Sequence, residues 1–303
     1  MKKVILCFML LFLIAANPDV VPPDKFTEQE IYQATLELHK SKNGRYFMWH
    51  ECGKRLNNGA REKRAAEYAR AIMESVNAVE ERRGEWIDPR HVKALLYRES
   101  SDNECAIGKQ EIRWLAEQLG ETPKKKDLVN HVKRWVGAKK EARNWCRRRP
   151  MVSGCIYEYM KKHYPEYRFI LKGWDIGAAQ FRYPSANINK RSVTLPSGET
   201  IDKVTLSDLF DYRVNIQLLV EDLTVHKHIC KGHKHVVRNR RGVIVRRLTT
   251  EEAYYVHHHT GSHRWSDKYW KRVKRHLNVI NKVKAIAVAH LFKRFYWNNS
   301  IYI

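Results

Sequence analysis

The stretch 86–108 constrains this chain more than any other. Asp88 followed by Pro89 marks a helix start, because Asp caps orphan amides and Pro suits the first helical position. Val92, Leu95, Leu96 and Glu99 then recur at i, i+3, i+4 and i+7, so they share one helical face. A carboxylate therefore closes an apolar stripe where the period asks for Leu or Ile. A surface glutamate on a helix usually meets a Lys or Arg three or four residues away. Around Glu99 those positions hold Leu95, Leu96, Asp102 and Asn103. Two readings stand side by side. Glu99 is a satisfied boundary residue, or it is a half-buried, unpaired general acid, since desolvation raises the pKa of a carboxylate towards neutrality.

Other periodic stretches are also helical. Thr27-Glu28-Gln29-Glu30 has the form of a capping box and starts a helix through about Lys40. Residues 42–60 are loop-rich. In 61–83, Ala65, Ala69, Ile72, Met73, Val76 and Val79 line one face, which reads as core packed on the 88–100 helix. Within 109–172, Ile112, Leu115, Ala116 and Leu119 share a face, as do Leu128, Val132, Trp135 and Val136. Turn signals predict two hairpins, at 193–201 and 236–245. Thr249-Thr250-Glu251-Glu252 is a second capping-box signal, for a helix ending near Gly261. Residues 267–298 form a long terminal helix with Trp270, Val273, Leu277 and Ile280 on its apolar side, and its end is a candidate for packing or peripheral membrane contact. The chain is predicted to be mainly α, with small β-hairpin insertions.

Met1-Lys2-Lys3 and the short apolar run 4–16 read as a secretory signal peptide, with an uncleaved anchor as the alternative. Cleavage after Ala16 would remove Lys2 and Lys3, taking the net charge from +24 to +22. The mature chain would be exported, periplasmic or extracellular. It would keep Cys52, Cys105, Cys146, Cys155 and Cys230, an odd number in an oxidising compartment. Cys146 and Cys155, close together in one segment, are the first expected bridge.

The strongly basic composition, with 9 Trp and 15 Tyr, suits nucleic acid in general. The export signal argues against that partner, and none is expected. A basic surface concentrates an exported protein on envelope polyanions, while a solvated surface needs no partner at all. His226, His228, Cys230, His233 and His235 crowd together, but with one cysteine they match no closed zinc pattern. The favoured reading is a basic loop with Cys230 in a disulfide, with no metal and no cofactor.

Four segments, in order, resemble the lytic transglycosylases related to goose-type lysozyme. Asp88-Pro89 leading to Glu99-Ser100 resembles the family's catalytic helix. Gly173 to Gln180 resembles a segment ending in Gly-x-x-Gln, with Gly177 and Gln180 as the matches, followed by Pro184-Ser185-Ala186. The stretch 209–216 resembles a helix entry carrying an Asn-Ile pair, here Asn215-Ile216. His258-His259-Thr260-Gly261-Ser262-His263-Arg264 lies where the family has Tyr-Asn-x-Gly-x-x-Arg. The resemblance covers about 86–290. It departs from the family in the long insertion at about 109–172 and in the histidine pair that replaces Tyr-Asn.

The resemblance implies a lysozyme-like helical catalytic domain at 85–303, preceded by a linker and N-terminal helical region at 17–84. Its expected activity is cleavage of the MurNAc–GlcNAc β-1,4 bond of peptidoglycan with formation of 1,6-anhydro-MurNAc. Glu99 would be the single general acid and base. It would protonate the glycosidic oxygen and then take the proton of the C6 hydroxyl, while the substrate's N-acetyl group stabilises the cationic centre. Ser100, Gly177, Gln180, His258 and His259 would contact substrate. Separately from the resemblance, Tyr254 with His258 and Tyr255 with His259 are i,i+4 pairs whose aromatic and imidazole face suits sugar contacts, with packing and surface histidines as the alternative. The insertion, with its Lys124-Lys125-Lys126 run, is a lid over the glycan cleft or an exposed turn. A hydrolytic muramidase is the first alternative, and it needs a second carboxylate, for which Asp102, Glu104 and Asp175 are the candidates. A non-catalytic basic envelope-binding protein is the second.

Overall fold

The structure, a computed structural model, describes residues 25–40, 49–51, 54–107, 109–147, 155–167, 174–183, 188, 191–231, 236–238, 243–247 and 269–283. The signal stretch, the helix expected at 249–261 and the terminal helix beyond 283 lie outside them.

The described chain is mainly helical, as the periodicities require. Helix α1 (Glu28–Leu38) starts in the expected capping box: Thr27 Oγ1 accepts from Glu30 N, and Glu30 Oε2 accepts from Thr27 N. Helix α2 (Asn58–Arg83) is capped by Asn57 and ends at Gly84, whose φ of 65° is the left-handed position that releases the chain. Helix α3 (Pro89–Ser100) begins where Asp88 Oδ1 accepts from Arg90 N at 2.9 Å, with Pro89 inside the first turn. The insertion folds as α4 (Lys109–Leu119), α5 (Lys125–Arg147) and α6 (Cys155–His163). Helix α7 (Tyr212–Cys230) is capped by Asp211 and buried over most of its first three turns, from Val214 to Leu223. Residues 269–283 form α8.

Helix α3 sits at the centre. It packs on α1, α2 and α7, and Val92, Leu95 and Leu96 are fully buried. Helix α8 runs antiparallel along it: Arg90 Nη1 meets Asn281 Oδ1 near one end, the Tyr97 and His276 rings meet edge to face in the middle, and Tyr269 reaches Glu99 at the other. One main core includes Leu115, Leu128, Val132 and Trp135 of the insertion together with the α1–α3 residues. The insertion is therefore built into the body of the protein. Among the described side chains of the insertion's predicted apolar faces, Leu119 alone is exposed.

Four two-stranded antiparallel ribbons complete the described fold. They are β1 (His50–Glu51) with β2 (Lys54–Arg55), β3 (Trp174–Ile176) with β4 (Phe181–Tyr183), β5 (Val193–Thr194) with β6 (Thr200–Ile201), and β7 (Val236–Arg238) with β8 (Ile244–Arg247). The last two are the predicted hairpins. The first two are additions to the expectation, since their strands are too short to carry an alternating pattern.

The cysteines divide as expected in one respect and not in another. Cys146 and Cys155 form the expected disulfide, tying α5 to α6. Cys105 is also disulfide-bonded. Cys230, read as a disulfide cysteine, is instead a buried thiol whose pKa burial pushes up. No described helix is long and apolar enough to cross a membrane.

Candidate active site

Glu99 and Ser100 lie in the last turn of α3, which ends where Ser101 and Asp102 take left-handed conformations with φ of 57° and 59°. Glu99 is half-buried. The expectation of an unpaired side chain is corrected here: Tyr269 Oη donates to Glu99 Oε1 at 2.6 Å. That tyrosine is almost fully buried. Burial, followed by the charge and hydrogen bond of Glu99, pushes its pKa far up, so it remains a protonated donor across the neutral range. The Arg98 guanidinium lies over the Tyr269 ring, 5.2 Å from its centroid.

Ser100 fixes the neighbouring wall. Its hydroxyl donates to Ala178 O at 2.7 Å and accepts from Asn103 N at 3.1 Å. The segment it grips is the β3–β4 turn, Gly177 to Gln180. Gly177 N donates to Ala106 O. Gln180 Nε2 donates to Gly177 O at 2.8 Å and Ala106 O at 3.2 Å. The buried Asn215 clamps the turn from α7: its Oδ1 accepts from Ala179 N and its Nδ2 donates to Leu209 O, both at 2.7 Å. Only glycine fits at 177. Its φ is 78°, and a Cβ there would come within 2.2 Å of Asn215 Nδ2 and of Leu209 O.

Residues from three separate sequence segments thus form one hydrogen-bonded assembly. Ser100, Gly177 and Gln180 are brought together, while Glu99, the chain neighbour of Ser100, bonds Tyr269. The hydrogen bonds of the Ser100 and Gln180 side chains run to backbone groups, so these side chains hold the β3–β4 turn in place. Tyr254, His258 and His259 lie outside the described residues. Tyr269 was missed at the sequence level, because nothing local distinguishes a tyrosine beside a core tryptophan from any other packing residue.

The three candidate second carboxylates are engaged elsewhere. Asp102 is fully buried, with Oδ2 at 2.5 Å from Lys93 Nζ and 2.9 Å from His39 Nε2. Burial works to raise its pKa, but Lys93 and His39 overcome this and hold it below the usual carboxylate range. Glu104 lies 3.9 Å from Arg64. Asp175 makes a two-point contact with Arg182 across the β3–β4 ribbon. Of the histidine-rich stretch, His226 bonds Asp222 on α7, while His233 and His235 lie outside the described residues. Among the described residues no three His, Cys, Asp or Glu side chains are grouped to hold a metal ion.

Comparison with protein-family models, with curated proteins and with solved structures found no match.

Proposed function

We propose that this chain is a peptidoglycan lytic transglycosylase that cleaves the MurNAc–GlcNAc β-1,4 bond and leaves a 1,6-anhydro-MurNAc end. One observation carries the reading. Three of the sequence segments that resemble that family are hydrogen-bonded to one another at the end of the helix that carries Glu99, through Ser100–Ala178 and Ala179–Asn215. A family-like order of motifs need not converge in space; three of the four meet among the described residues, and the fourth, at 258–264, lies outside them.

In this mechanism Glu99 gives its proton to the glycosidic oxygen as the bond breaks. The resulting carboxylate takes the proton of the C6 hydroxyl as that oxygen closes on C1. The same carboxyl thus serves as acid and then base, and no water enters. Tyr269 holds one carboxylate oxygen and so fixes which direction the other faces. Ser100, Gln180 and Asn215 hold the turn that forms the adjacent wall. The engagement of Asp102, Glu104 and Asp175 in other pairs supports this single-carboxylate route over a hydrolytic pair. The disulfides suit an oxidising compartment such as a cell envelope.

The test is digestion of purified peptidoglycan by the mature protein and by Glu99→Gln, with mass spectrometry of the products. Anhydro-muropeptides from the wild type alone are expected. Reducing-end products lost in Glu99→Gln would make the protein a muramidase. Binding by both without release would make it a non-catalytic envelope-binding protein.

A further inference from the structure

Helix α8 has two unlike faces. Tyr269, Trp270, Val273, Leu277 and Ile280 are buried in the core. On the opposite side Lys271, Arg272, Lys274, Arg275 and Lys282 are exposed. Lys271, Arg275 and Lys282 stand at i, i+4 and i+11, which aligns them along one ridge of about 16 Å. The helix contains no acidic residue, and the sequence has none after Asp267. Among the described residues none of the five cations has an ion-pair partner.

A solvated helix face usually interleaves Glu with Lys at three- and four-residue spacing, because like charges at that spacing repel. Here Lys271–Lys274, Lys271–Arg275 and Arg272–Arg275 are all like-charge pairs, with no anion between them. His276, on the same helix, has its pKa lowered to about 4, first by burial and then by Arg98, Arg275 and Arg272, against the opposing pull of Asp102. The apolar side of α8 is already used in the core, so this helix cannot lie in a bilayer with an apolar face immersed. What remains is an electrostatic surface for an anion outside the protein. It begins beside the reaction centre, since Tyr269 at its first turn holds Glu99.

We propose that the exposed ridge of α8 is the docking surface for the carboxylates of the stem peptides that the glycan strand carries, aligning the strand so that it passes Glu99. This rests on the peptidoglycan reading above. Successive stem peptides supply negative charges along a strand, and a linear row of cations matches them.

The experiment measures binding of the full mature chain, in a Glu99→Gln background, to insoluble peptidoglycan by co-sedimentation at low ionic strength. The triple variant Lys271→Gln/Arg275→Gln/Lys282→Gln is compared with its parent, with circular dichroism as the check on folding. A loss of affinity of about tenfold is expected. It should vanish on peptidoglycan whose carboxylates have been amidated, and Lys271→Arg/Lys282→Arg should bind like the parent. Equal binding by the triple variant and its parent would overturn the proposal. So would a loss that persists on amidated material, or a loss confined to vesicles of anionic phospholipid, which would make a membrane surface the occupant. Charge-dependent binding by a wild-type protein that releases nothing from peptidoglycan would sink the catalytic reading and leave the docking surface standing.

Discussion

Asp102 shows how much chemistry a single buried residue can organise. It lies directly after the helix that carries Glu99, in a left-handed conformation uncommon for a non-glycine residue. Lys93 and His39 hold its carboxylate, and Trp49 Nε1 donates to its carbonyl at 3.3 Å. The His39 ring stacks on Trp49 at 4.0 Å. Breaking one side of a buried ion pair leaves the other charge stranded, so Asp102→Asn should cost about 3–5 kcal/mol of stability, read by urea denaturation at neutral pH. The double variant Asp102→Asn/Lys93→Met should recover much of that loss, because it removes the stranded ammonium as well. At Gly177 the expected failure is steric: Gly177→Ala should cost about 2–4 kcal/mol and, under the proposed function, abolish glycan cleavage, since both Asn215 and a backbone carbonyl stand in the way. A Gly177→Ala protein with wild-type stability would contradict the turn geometry.

At the scale of elements, the pairing of α3 with α8 determines the site. Tyr269 contributes one hydroxyl to Glu99 across a sequence separation of 170. Tyr269→Phe keeps the ring and its packing, so stability should change little. Under the proposed function, turnover on peptidoglycan should fall about ten- to a hundredfold, as a misdirected acid–base group loses rate. An unchanged rate would leave Tyr269 as packing alone. The elements themselves were largely legible in the sequence. The capping box at Thr27, the Asp88-Pro89 start, the apolar faces of α2 and α5, and the hairpin at 193–201 all follow from local rules, and all are present. The contacts that build the site were not legible. The burial of Lys93 depends on Asp102 and His39 arriving from the chain on either side, and periodicity alone places a lysine outside. The left-handed turns at Ser101, Asp102 and Gln180 carry no glycine to announce them. Gly177, Gln180 and Asn215 were flagged only through a family resemblance, and their clamp emerges only when α7 packs beside the β3–β4 ribbon.

For the whole molecule, buried neutral histidines set the acid limit of the fold. His131, packed between Trp114 and Tyr167, has its pKa lowered from 6.5 to about 4 by burial and then by Arg134. His276 shifts the same way and to a similar value, and His39 is also lowered, mainly by burial. In each case the folded pKa lies below the unfolded one, so protons bind the unfolded chain more readily. Their stability contribution is fully present above about pH 6.5 and is lost as pH falls towards 4. For His131 alone this is about 2–3 kcal/mol across that window. Urea midpoints should therefore decline steeply between pH 6.5 and 4, and less so in His131→Gln. Asp102 adds a further loss below its ordinary value of 3.8, because its folded pKa is depressed. The same cluster has a consequence for how the protein can be divided. His39 caps the end of α1, Lys93 belongs to α3, and Asp102 joins them. A fragment trimmed to begin near Trp86 would lose the histidine, the indole of Trp49 and the whole flank formed by α1 and α2, exposing the ammonium–carboxylate pair to water. A unit that keeps this cluster buried must therefore include α1 and the chain around Trp49 as well as α3.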